Sequence, residues 1–176
     1  MSGAPTGHLV VIDLQHVFGD PGSPWAAPRF GEIIAPIERL VAAFEPAVTF
    51  TRFVAPERPS GAWTDYYRQW PFALAPPDDP MYELVVPFAD RSAVTATTFG
   101  KWSELAEIAG DDIVVTGVST DCCVISTVLA AADAGTRVRV VADACAGASD
   151  ETHAQALAVM ALYEPLVRVV TSDAVA

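Results

Sequence analysis

The order of apolar runs predicts an α/β fold, a parallel sheet with helices on both faces. Short β-branched runs such as Leu9-Val10-Val11-Ile12 alternate with longer Ala- and Leu-rich stretches, as parallel strands joined by crossover helices require. With 52% hydrophobic residues in 176, the chain can bury one sizeable core. A single domain over residues 1–176 is therefore expected.

In chain order, the strands are predicted at His8–Asp13, Ala47–Phe53, Ser92–Ala96, Asp112–Gly117, Arg137–Ala142 and Leu166–Val170. Gly31–Glu45 spaces Ile33, Ile34, Ile37, Leu40, Val41 and Phe44 at helical intervals. Asp121–Ala134 and Ser149–Tyr163 are the other two helices, one stopped by Gly135 and the other by Pro165. Ser149 is placed to cap the second of these, with Glu151 in its first turn. Gly19–Pro28 reads as a loop. Ala55–Pro87 is proline-rich and carries Trp63, Tyr66, Tyr67, Trp70 and Phe72. It reads as a long excursion with room for one short helix, serving either as a lid over a site or as an aromatic anchor to the core or a partner.

Composition narrows the partners. The net charge of -12 opposes the phosphate attraction that nucleic-acid binding uses. No apolar run is long enough to span a membrane, and Met1–Gly7 does not open a secretory leader. Three cysteines, two of them adjacent, make a poor disulfide framework. Free thiols in a cytoplasmic protein fit better.

Two places carry chemistry. Asp13 ends an apolar run, at the strand edge where open α/β sheets bind ligands; an acid there also commonly just caps a turn. Val114-Val115-Thr116-Gly117-Val118-Ser119-Thr120-Asp121-Cys122-Cys123-Val124 reads as strand, tight turn and helix. A thiol in the first turn of a helix lies near unpaired N–H groups, which favour thiolate and can hold an oxyanion. Free cysteines otherwise pack as small hydrophobes, and Cys145 is expected to do so.

The stretch Thr116–Val124, continued by Ser126-Thr127, resembles the T-G-x-x-T-D-x-C-V-x-x-T signature of isochorismatase-like cysteine hydrolases, which include nicotinamidases and N-carbamoylsarcosine amidases. Val11-Ile12-Asp13-Leu14-Gln15-His16-Val17-Phe18 is similar to that family's I-D-x-Q-x-x-F opening, and Val140–Ala146 and His153–Leu157 follow in the same order. The resemblance implies a Rossmann-like three-layer fold with a six-stranded parallel sheet and a Cys-Asp-Lys triad. Cys123 falls in the nucleophile position, Asp13 in the acid position, and the Ser119 and Cys123 amides in the oxyanion hole, beside a cis Val118–Ser119 peptide. A homo-oligomer, dimer or tetramer, is also implied.

Two departures stand out. Laying Val94–Trp102 on the family pattern V-x-K-x-x-Y-S-A-F puts Ala96 in the lysine slot, while Lys101, the only lysine of the chain, comes five residues later. Lys101 is read as a displaced catalytic lysine; its alternative is an ordinary surface charge. The Asp-x-His metal pattern of nicotinamidases is replaced by Thr49-Phe50-Thr51-Arg52-Phe53, and His8, His16 and His153 are scattered, so neither metal nor cofactor is expected. Arg52 is available to orient a substrate carboxylate or carbonyl, or to make a structural ion pair. With Gln15, Phe18, Trp63, Tyr67 and Trp70 it completes the expected substrate contacts.

The expected activity is covalent hydrolysis of a small-molecule amide, ureido or related C–N bond. Its rivals are ester or vinyl ether hydrolysis and a catalytically weakened binding module.

Overall fold

In the computed structural model, which describes residues 5–175, six strands form one parallel sheet in the order β3-β2-β1-β4-β5-β6. They are β1 His8–Ile12, β2 Val48–Phe53, β3 Ala93–Ala96, β4 Asp112–Val118, β5 Arg137–Ala146 and β6 Val167–Val170. β1 is apolar on both faces because both are covered. Leu9 and Val11 point to one side, with Ile37, Leu40, Phe53 and Tyr82. Val10 and Ile12 point to the other, with Ile113, Val115, Val128 and Met160.

The helices are α1 His16–Gly19, α2 Phe30–Phe44, α3 Ala62–Gln69, α4 Trp102–Ala109, α5 Ile125–Asp133 and α6 Asp150–Ala161. α2 covers the first face together with the 55–87 excursion, whose Tyr67, Ala73, Tyr82 and Leu84 are buried in that core. α4, α5 and α6 cover the second. Ser149 caps α6 through a reciprocal pair with Thr152. Among the described residues no helix is long and apolar enough to cross a membrane.

Several elements depart from expectation, the short α1 among them. α4 was left unassigned, since only Leu105 and Ala109 of its eight residues are buried and the periodicity is too short to register. The predicted Asp121–Ala134 helix begins as a π-helical turn, Thr120–Val124, before α5. β5 runs to Ala146 instead of Ala142, because a register shift between Val115 and Gly117 lets Gly117 pair with Cys145 and Val118 with Ala146.

The strand order places the site. After β1 the chain steps outward through β2 to β3, then returns to set β4 on the other side of β1. The order reverses between β1 and β4, where the strand ends open a crevice. Ile12 pairs with Gly117 across it, so the residues that follow, Asp13 and the Ser119–Cys123 turn, emerge side by side. Only glycine fits at 117: its φ is +112°, and a Cβ would lie 2.1 Å from the Ile12 carbonyl oxygen.

Candidate active site

Asp13 is the first residue beyond β1, and its φ of 50° lies in the left-handed region that few non-glycine residues adopt. The side chain is wholly buried. Its Oδ1 accepts a 2.7 Å hydrogen bond from the Thr51 hydroxyl on β2. Its Oδ2 faces Lys101 Nζ at 3.0 Å and has no aligned hydrogen-bond donor.

Lys101, just before α4, is also wholly buried. Its ammonium donates to the Thr98 and Phe99 carbonyls at 2.7 and 2.9 Å, and lies 5.6 Å from the centre of the Phe53 ring. Burial is the strongest influence on this amine and works against its charge, yet the Asp13 carboxylate and Cys123 outweigh it and raise the pKa above the ordinary lysine value. The displaced position is bridged by the side chain: β3 ends at the buried Ala96, and Lys101 reaches back from the loop that follows.

One hydroxyl fixes that loop to the thiol. Thr127 Oγ1 accepts the Lys101 backbone N–H at 3.0 Å and donates to the Cys123 carbonyl at 2.7 Å. Before it, the Val118–Ser119 peptide is cis, and Ser119 O accepts the N–H groups of both Cys122 and Val124. Thr120 Oγ1 is hydrogen-bonded to His153 Nδ1 at 2.8 Å, tying the turn to α6.

Cys122 is half-buried and Cys123 is buried, and both line the same cavity. Side chains one residue apart on an α-helix point about 100° apart, which would leave only one thiol facing the site. The wider π-helical turn brings in both. The two thiols are coupled and titrate as a pair. The neighbouring Cys122, then burial, then the Asp13 carboxylate push Cys123 well above the usual thiol range, while the same coupling lowers Cys122 against its burial. The lowering expected at Cys123 from its helix position is overridden. Cys145 packs away from the site, its thiol raised to about 12 by burial.

The cavity is about 350 Å³ and is walled by Phe18, Trp25, Phe53, Tyr66, Trp70 and Phe99. Ser119, Asp121 and the two thiols supply its polar surface. Asp13 and Lys101 do not line it; they lie sealed behind the wall.

Of the expected substrate contacts, Phe18 and Trp70 are on the wall and four are not. Gln15 is buried with its whole amide engaged: Nε2 donates to the Phe53 and Tyr82 carbonyls and Oε1 accepts the Phe53 N–H. It pins the excursion to β2. Tyr67 is turned into the core, and Trp63 packs on Tyr66, Tyr67 and Phe99 behind the lining. Arg52 points the other way, donating to Thr95 Oγ1 on β3, because alternate residues of a strand face opposite sides and Thr51 already faces Asp13. Trp25 was missed: the Gly19–Pro28 loop puts it among the rings of Phe18, Phe53, Tyr66, Trp70 and Phe72. A lone tryptophan in a Pro- and Gly-containing loop was the available signal.

The Isochorismatase domain model matches residues 8–174. The chain belongs to the isochorismatase family. No curated protein sequence matches it. Among solved structures it is similar to a cysteine hydrolase from Pseudomonas syringae pv. phaseolicola 1448A, with a TM-score of 0.81 at 21% identity over 96% of this chain and 89% of that one. It is also similar to pyrazinamidase of Pyrococcus horikoshii in complex with zinc, with a TM-score of 0.73 at 22% identity over 93% and 98%. Nicotinamidase from Bacillus subtilis follows, with a TM-score of 0.70 at 19% identity over 93% and 98%. At these identities the likeness is one of fold.

As an isochorismatase-family chain, this one differs in its cations. Ala96 stands where the resembled pattern has lysine, and the amine that meets Asp13 is that of Lys101. A divalent ion does not fit either: among the described residues no three of His, Cys, Asp and Glu converge. The β2 side chain that meets Asp13 is the Thr51 hydroxyl.

Proposed function

We propose that this isochorismatase-family hydrolase cleaves an amide, ureido or related C–N bond of a small molecule through a thioester on Cys123. Cys123 Sγ attacks the carbonyl carbon as its proton passes to Asp13. The Ser119 and Cys123 amides receive the oxyanion. The C–N bond then breaks, Asp13 returns the proton to the leaving amine, and water hydrolyses the thioester to release the acid and the thiol. Lys101 steadies the Asp13 carboxylate and favours negative charge on Cys123.

The observation that carries this reading is the Lys101–Asp13 contact, 3.0 Å between two wholly buried side chains next to the thiol turn. A buried ion pair is a poor way to stabilise a fold compared with apolar packing. Here both of its charges act on Cys123, the carboxylate favouring the thiol and the ammonium the thiolate. Burial and the neighbouring Cys122 favour the thiol form of Cys123, so in this reading proton transfer accompanies attack.

A panel of small amides and ureides, read by release of ammonia or amine, tests the assignment. The expected result is turnover by the wild type that Cys123→Ala abolishes. Hydrolysis confined to esters or vinyl ethers would replace it.

A further inference from the structure

We infer that this site takes a substrate whose body, beyond the scissile amide, carries a positive charge on a compact apolar frame. The inference rests on the amidase reading above for the amide end and on the cavity wall for the rest.

Three observations fix the sign of the charge. First, the wall is built of aromatic rings, with Trp25 packed against Tyr66 and Trp70; such rings attract a cation over their faces and tolerate a neutral group. Second, the formally charged side chain on that wall is Asp121. Its carboxylate accepts the Ala148 N–H at 3.2 Å on each oxygen and has no ion-pair partner among the described residues, which leaves it accepting capacity toward the cavity. Third, among the described residues no base lines the cavity, and several bases of the elements around it are engaged elsewhere. The Lys101 ammonium is held by Asp13 and two carbonyls, and Arg52 by Thr95. Arg29 is paired with Glu32 and Asp150, and His153 is bonded to Thr120. An anionic substrate would lose its water against aromatic rings and a carboxylate with nothing to replace it. A cation meets ring faces and Asp121, and the net charge of -12 draws it in.

Equal-shaped ligands separate charge from size: 4-(trimethylammonio)benzamide, 4-tert-butylbenzamide and 4-sulfonatobenzamide, together with tetramethylammonium as the bare head group. Binding to the full Cys123→Ala chain is followed by tryptophan fluorescence and calorimetry. The expected order is cation tightest, about tenfold tighter than the tert-butyl ligand, and anion weakest. Added salt should weaken the cation alone. Asp121→Asn, which can still accept from Ala148, should narrow the gap without changing tert-butyl binding, and Trp25→Leu should weaken the cation. Equal affinity of cation and tert-butyl ligand, tightest binding of the sulfonate, or no binding of either ammonium at millimolar concentration overturns the inference. Amide turnover by the wild type without a charge preference would sink this inference alone. A charge preference without any amide turnover would sink the hydrolase reading and leave the cation site standing.

Discussion

Lys101 Nζ and Asp13 Oδ2 stand 3.0 Å apart with neither side chain exposed to solvent. Removing one member strands the other. Lys101→Met is expected to lower turnover by about 100-fold or more and to destabilise the fold by about 3–5 kcal/mol, read from urea unfolding. Pairing it with Asp13→Asn should restore stability but not activity. The raised Lys101 pKa adds a pH signature. Its contribution to stability is complete below the ordinary lysine value and is lost as pH rises through the folded one. Unchanged stability in Lys101→Met would mean that the two charges do not interact.

Asp13→Asn alone keeps the side-chain shape and removes the proton acceptor, so the rate should fall by about 100-fold or more. The stability loss should be smaller than in Lys101→Met, since the ammonium keeps the Thr98 and Phe99 carbonyls. A folded Asp13→Asn protein with normal rates would return Asp13 to a structural role.

Cys122→Ala should retain activity and move the acid limb of the pH–rate profile to lower pH. The neighbouring Cys122 thiol is the strongest of the influences holding the Cys123 proton, and the substitution removes it. In the intact protein at neutral pH, iodoacetamide should label Cys122 first, because it is the more exposed thiol and the one lowered by its neighbour. An acid limb that stays in place, or moves upward, would show that the two thiols are not coupled.

Gly117→Ala sets a side chain into the β1–β4 contact, 2.1 Å from a carbonyl oxygen. The expected cost is about 3 kcal/mol or more. Any folded fraction should be slow, because Asp13 and the thiol turn are displaced relative to each other. Gly135→Ala is the control, since it also has positive φ but adds a methyl to open space. Equal urea midpoints for the two variants would refute the close-contact argument.

All six strands and three of the helices were legible because each carries a repeating apolar pattern. Asp13 and Cys123 were legible because local motifs mark them. Lys101 was read as displaced from its slot, but that Thr127 would anchor it could not be foreseen, since that bond joins residues 101 and 127 across the fold. Gln15 and Tyr67 were misread because a polar or aromatic residue in a motif or loop looks the same whether it faces a cavity or the core. The orientation depends on which backbone groups of the excursion are left needing partners, and residue type does not carry that. Arg52 was misplaced by the pleat alone.

The Thr127 clasp on Lys101 also bears on how relatives of this chain are found. On the proposed mechanism the chemistry requires an ammonium at one point in space, and a long flexible side chain lets the backbone that delivers it shift by several residues. A search that demands lysine in a fixed alignment column would discard such chains as inactive. A search that asks for a buried amine reaching the carboxylate beyond the first strand would keep them.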